Sequence, residues 1–220
     1  MLTHHDVTIP NAPEIYDITK DAGISCVGFK DVGLSFKELS ELVTLMKKDG
    51  KKIFLEVVSE TLESALQSAR NAVRLEVDYL IGGAYPEPTI RLLTGRGIKY
   101  FPYVGKVVEH PCLLRGSVEE IVHDAKKVEA LGADGINLLA YRFNGDVERL
   151  MSSVKDSVNI PLIAAGSIDS LARVRKVMDL GMWGFTIGGA IFEKRFVPGG
   201  TLIEQITAVI NAINKQKRTR

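Results

Sequence analysis

Residues Asn159 to Lys194 read NIPLIAAGSIDSLARVRKVMDLGMWGFTIGGAIFEK. The order is strand, turn, helix, strand, turn. Ile160 to Ala165 is a short, almost wholly apolar run, as a strand buried on both faces requires. Gly166 and Ser167 interrupt it, and Asp169 and Ser170 offer side-chain oxygens to cap the helix that follows. Leu171, Val174, Val177, Met178 and Gly181 recur at helical spacing, with Arg173, Arg175 and Lys176 on the solvent side and Gly181 as the C-cap. Trp183 to Ile187 is the next strand, with Trp183 expected in the core, and Gly188-Gly189 ends it.

Two consecutive parallel strands that each end in glycine set bare backbone N–H groups side by side at one rim. Glycine has no Cβ, so an anion can approach those amides closely, and a helix N-terminus adds positive potential. The last two strand–loop units of many (β/α)8 barrels hold a phosphate ester in this way. The stretch resembles the ribulose-phosphate-binding barrel superfamily, which includes histidine- and tryptophan-biosynthesis isomerases and N-acylglucosamine-6-phosphate 2-epimerases. Gly166, Ser167, Gly188 and Gly189 are the positions that match its phosphate-gripping loops. The resemblance implies a small phosphorylated metabolite as ligand; the plainer alternative is that these glycines only make tight turns. It does not extend to the relatives' catalytic residues. Asp6 or Asp31 matches the first of the two aspartates used by the histidine-synthesis isomerases, but Lys99 to Val104 offers no second.

Working outward, strand and helix patterns alternate from end to end with no linker, which predicts one α/β domain over residues 1–220, a (β/α)8 TIM barrel. The expected strands are Asp6 to Ile9, Ile24 to Lys30, Lys52 to Val58, Asp78 to Ile81, Ile98 to Val104 and Gly135 to Tyr141, followed by the two quoted above. Gly82-Gly83 reads as a barrel turn. Gly105 to Gly116 is expected to be the longest loop, a lid or rim, and Phe196 to Ile213 a final amphipathic helix.

Active sites of such barrels form at the C-terminal ends of the strands. Lys30 and Glu56 lie in otherwise apolar strands, where an unpaired charge is costly. Alternation places Lys30 on one face with Cys26 and Gly28, and Glu56 on one face with Phe54 and Val58, so the two can pair across the barrel mouth. Asn137 and Arg142 on the sixth strand would complete the catalytic ring, with Tyr103, Lys106 and His110 as substrate or lid contacts. In a dry cleft a carboxylate can take a proton next to a carbonyl while a lysine stabilises the enolate, which is isomerase or epimerase chemistry. A second reading makes Lys30 a Schiff-base nucleophile of an aldolase. A third is a metabolite-sensing regulator without catalysis, similar in this last quarter to glycerol-uptake antiterminators. The bland alternative is a structural ion pair.

The bulk numbers narrow the classes. A net charge of +1 gives no electrostatic case for nucleic acid or an anionic membrane. The basic tail Lys215 to Arg220 is expected to be a frayed, solvated end. Two cysteines, Cys26 and Cys112, make no disulfide framework and suit a reducing cytosol, and no apolar run is long enough to span a bilayer. The expectation is a cytoplasmic protein. His4, His5, His110, Asp6 and Glu56 show no metal-ligand spacing, and Cys112 has no partner motif, so neither metal nor cofactor is expected. A homo-oligomer contact through a helix such as the last stays open.

Overall fold

The computed structural model describes residues 1–218. The chain opens with a tight antiparallel hairpin, β1 (Thr3–His4) and β2 (Val7–Thr8), where a single strand from Asp6 to Ile9 was expected. His5 and Asp6 form its turn at left-handed φ values of 49° and 62°. A four-stranded parallel sheet follows: β3 (Cys26–Lys30), β4 (Lys52–Val57), β5 (Tyr79–Gly82) and β6 (Lys99–Phe101). The expected long loop is instead a second hairpin, β7 (Lys106–Val108) and β8 (Leu113–Arg115). A second parallel sheet contains β9 (Ile136–Leu138), β10 (Leu162–Ala164) and β11 (Gly184–Phe185).

Single backbone hydrogen bonds join these sheets into one ring. Asp134 N donates to Tyr100 O at 3.0 Å and Asn137 N to Pro102 O at 2.9 Å, linking β6 to β9. On the other side Leu2 N donates to Gly28 O at 2.7 Å and Met1 N to Ile187 O at 2.8 Å. The first residues thus stand between β3 and β11, and the wall is that of a (β/α)8 barrel. Below Met1 the seam between β3 and β11 opens into an apolar cavity of about 860 Å³, walled by Ile15, Ile206 and Ile210 among others.

Around the wall lie α1 (Ala12–Thr19), α2 (Phe36–Lys48), α3 (Leu62–Leu75), α4 (Pro86–Leu93), α5 (Val118–Ala130), α6 (Val147–Ser157), α7 (Leu171–Asp179), the one-turn α8 (Gly189–Phe192) and α9 (Leu202–Arg218). The capping signals work as sequence implies: Ser35 with Glu38 and Ser117 with Glu120 form reciprocal capping boxes, and Ser170 accepts from Arg173 N. The last helix starts later than expected and continues through the basic residues Lys215 to Arg218, so these are helical rather than frayed; Thr219 and Arg220 lie outside the described residues.

The barrel interior is stoppered by Phe54, Ile81, Phe101 and Ile163, with Tyr79 packed on them. Phe54 and Tyr79 stack at 4.2 Å. Burying each such ring contributes roughly 1.5–3 kcal/mol. Trp183, expected in the core, is 52% exposed: it sits at the start of β11, its ring 5.5 Å from Phe101, where the plug meets the open bottom of the barrel. At that same end Asp78 takes Ile53 N at 2.9 Å and Asp134 takes Tyr100 N at 3.0 Å, tying neighbouring strands together away from the mouth.

Candidate active site

Lys30 and Glu56 are direct partners in the β3/β4 register, so parallel pairing alone sets the two side chains together on one face. Lys30 Nζ lies 3.4 Å from Glu56 Oε2. Both residues are at most 5% exposed. Lys30 Nζ also donates to Asp6 Oδ1 at 3.0 Å. Asp6 is in reach because the left-handed hairpin turn directs it back into the mouth, while Thr8 Oγ1 donates to Lys30 O at 2.9 Å and fixes the hairpin to β3.

Arg142 reaches Asp6 from the opposite side. A turn of 3-10 helix, Ala140–Arg142, follows β9 and delivers the guanidinium, which grips both Asp6 oxygens and donates to Cys112 O at 3.0 Å. Cys112 N completes the carboxylate's shell at 2.9 Å. Burial alone would raise the Asp6 carboxyl, but the Arg142 hydrogen bonds and the Lys30 charge overcome it and hold the group well below the usual carboxylate range. Burial would likewise lower the Lys30 ammonium; the Glu56 and Asp6 carboxylates outweigh it, and the group stays above its ordinary value. Lys30 is therefore held protonated at neutral pH.

Beneath Glu56 lie Tyr103 and Asn137. Tyr103 Oη donates to Glu56 Oε1 at 2.9 Å and Asn137 Nδ2 donates to the same oxygen at 3.2 Å. Oε2 thus remains as the oxygen that faces Lys30. Gly82 makes room for Tyr103, since a Cβ there would stand 2.9 Å from the phenol ring. Tyr103, read from the sequence as a rim contact, is a buried support below the mouth; burial and the adjacent Glu56 push its phenol well above the usual range.

Gly166, Ser167, Gly188 and Gly189 open onto the same end of the barrel. They line a cavity of about 410 Å³ together with Asp6, Lys30, Glu56 and Arg142. The wall's hydrogen bonds end with Ala165 N to Leu138 O and Thr186 N to Ala164 O; among the described residues no protein acceptor takes the amides of Gly166, Ser167, Gly188 or Gly189. Gly166 has φ +76°, and a Cβ on it would meet Arg142 Cγ at 2.8 Å. Thr3 stands over Gly188, while His4 and Glu193 flank Gly189, their side chains 3.4 Å apart. The strand that Gly188 ends leads straight into the N-terminus of α8, where the sequence reading had only a stop.

Two other residues assigned to the site from sequence do not line it. Lys106 opens β7 and is exposed, and His110 is at the tip of the second hairpin, also exposed; Pro111 and Leu113 of that hairpin are the ones that face the cavity. His110, Asp6 and Cys112 bring their ligand atoms within 4.8 Å of one another. A cation there would compete with Lys30 and Arg142 for Asp6, and burial raises the Cys112 thiol to about 11, so the set favours the ion pairs it already makes. Asp6 is the residue that sequence reasoning passed over as a site residue. Its setting, His4-His5-Asp6-Val7, lacks the apolar flanks that mark Lys30 and Glu56, and the partial match to an isomerase aspartate was the signal it gave.

The parallel wall with its surrounding helices is that of a (β/α)8 barrel, and the comparisons with known proteins agree with that fold. No family model matches the sequence. The chain is 22% identical over 162 residues to a protein of Enterobacter sp. (strain 638) named as an N-acetylmannosamine-6-phosphate 2-epimerase, the match covering 68% of this chain and 64%, just under two thirds, of that protein's length. Among solved structures, the N-acetylmannosamine-6-phosphate 2-epimerase of Clostridium perfringens is similar with a TM-score of 0.60 and 15% identity, covering 92% of this chain and 84% of that one. The orotidine 5'-phosphate decarboxylase of Pyrococcus horikoshii OT3 is similar with a TM-score of 0.67 and 17% identity, over 92% and 93% of the two chains. No helix among the described residues is long and apolar enough to cross a membrane.

Proposed function

We propose that the chain is an isomerase or epimerase of a small phosphorylated sugar, working by proton abstraction next to a carbonyl. One observation carries the reading: a single cavity is lined both by the buried Lys30–Glu56 pair and by the two glycine turns with uncommitted amides. The phosphate would rest on the amides of Gly166, Ser167, Gly188 and Gly189, fixing the distance to the reacting carbon. Glu56 Oε2 takes the proton, and the Lys30 ammonium stabilises the oxygen on which charge develops. Arg142 and Asp6 hold Lys30 in place, while Asn137 and Tyr103 hold Glu56. The names borne by the epimerase relatives support the same class and make N-acetylmannosamine 6-phosphate the first substrate to try.

A protonated Lys30 suits this chemistry better than the Schiff-base alternative, which needs a neutral amine as nucleophile. Glu56→Gln tests the assignment. Turnover, followed as deuterium incorporation from D2O beside the carbonyl, is expected to fall at least a thousandfold, with phosphate-ester binding by calorimetry kept within about threefold. A variant that turns over like the parent removes Glu56 as the base, and loss of ester binding alongside turnover removes the separation of the two ends.

A further inference from the structure

Among the described residues, Lys30 and Arg142 are the lysine and arginine side chains that line the 410 Å³ cavity, and both already pair with Asp6. Lys30 Nζ sits between Asp6 Oδ1 at 3.0 Å and Glu56 Oε2 at 3.4 Å. Arg142 closes a two-point grip on Asp6. Asp6 and Glu56 thus balance Lys30 and Arg142, and Asp6 is the carboxylate that both cations share; the Met1 amine and the Asp169 and Glu193 carboxylates line the same cavity. We propose that Asp6 sets the specificity of the cavity by excluding carboxylates. The accepted ligand then carries its charge at the phosphate end only and presents a neutral carbonyl or hydroxyl to Lys30.

The physical reason is directional. Lys30 retains a third N–H, enough for one bond to a neutral oxygen. A ligand carboxylate at the same place would have to face Asp6 and Glu56 together, like charges in a poorly solvated pocket. Arg142 spends both Nη1–H groups and one Nη2–H on Asp6 and Cys112, so a ligand carboxylate could use only its remaining Nε–H and Nη2–H, close beside the Asp6 carboxylate. Phosphorylated keto and hydroxy acids are thereby separated from phosphorylated aldoses and ketoses. This rests on the phosphate reading given above for the glycine turns.

The test is a matched pair of ligands of equal length, glycerol 3-phosphate and 3-phosphoglycerate, titrated calorimetrically into the full chain with inorganic phosphate as the reference. Glycerol 3-phosphate is expected to bind at least tenfold more tightly. Asp6→Asn should cut that preference at least fivefold by leaving positive charge uncompensated at Lys30 and Arg142, and Glu56→Gln, which removes the other facing carboxylate, should cut it as well. Equal or tighter binding of 3-phosphoglycerate to the parent overturns the proposal, as does an unchanged ratio in a folded Asp6→Asn. Should Asp6→Asn not fold, the parent ratio and the Glu56→Gln ratio decide. If neither ester nor inorganic phosphate binds, the phosphate reading itself falls, and the proposal with it.

Discussion

Gly166→Ala separates backbone strain from obstruction of the site. At φ +76° any side chain costs about 1–2 kcal/mol, because an L residue crowds its own carbonyl there. The new methyl would also stand 2.8, 2.9 and 3.0 Å from Arg142 Cγ, Cδ and Nε. The arginine stem must move, and its alignment on Asp6 loosens. Gly132→Ala is the matched control: φ is +91°, yet nothing lies within 4 Å of the added carbon. For a chain of this size 1–2 kcal/mol lowers Tm by about 2–8 °C, and that is the whole effect expected of Gly132→Ala. Gly166→Ala should lose a further ~1 kcal/mol or more from the displaced Arg142, since disturbing a buried ion pair is costly. Differential scanning calorimetry reads this difference, and titration with inorganic phosphate reads the site. Phosphate affinity should drop at least tenfold in Gly166→Ala and stay unchanged in Gly132→Ala. Equal melting of the two variants, with phosphate binding intact in both, refutes the placement of an anion over Gly166.

Tyr103→Phe removes one of the two donors on Glu56 Oε1; at about 1.5–3 kcal/mol for a bond to a charged group, kcat should fall roughly 10–100-fold with phosphate binding unaltered, and an unaffected kcat dismisses the support role. Gly135→Ala would drive a Cβ to 2.2 Å from the Phe101 ring in the barrel plug, so a loss of about 1–3 kcal/mol in urea unfolding is expected, and a stability within 0.5 kcal/mol or so of the parent contradicts that packing. Asp6, held below its ordinary range when folded, contributes stability that is complete above its unfolded value near ~3.9 and is lost as pH falls through the folded one. Lys30, held above its ordinary range, acts with the opposite sign: its contribution is complete below ~10.4 and is lost as pH rises past the folded value. Urea midpoints against pH should therefore decline at both extremes, with a shallower acid decline in Asp6→Asn; identical acid limbs would show that Asp6 is not a source of it.

Much of this was readable before any coordinates because the relevant signals are local. Charges inside apolar strands mark Lys30 and Glu56, and strand alternation puts them on facing sides; glycines at strand ends mark the two turns. The rest depends on geometry that periodicity does not carry. Asp6 enters the site through a two-residue left-handed turn, which no hydrophobic pattern announces. Tyr103 follows the alternation of its strand, yet its depth below the mouth is set by Gly82 making room on a neighbouring strand. Lys106 was drawn toward the site by loop position, and the second hairpin carries it to the surface; His110, exposed at the hairpin tip, still brings a ring nitrogen within 4.8 Å of Asp6. Trp183 shows the converse: its hydrophobicity argues for the interior, but the strand begins at the barrel's open end.

The aromatic stopper below Glu56 has a bearing on isotope traffic. With Phe54, Ile81, Phe101 and Ile163 packed across the cylinder, a hydrogen that Glu56 took from a ligand in the proposed reaction would meet an apolar floor beneath it. The mouth cavity that Glu56 lines would then be its path to bulk water, past the ligand that released it. Such a carboxylate should hand a sizeable share of the original hydrogen back before solvent can wash it out, so label retained in product becomes a gauge of how tightly the occupied barrel is sealed.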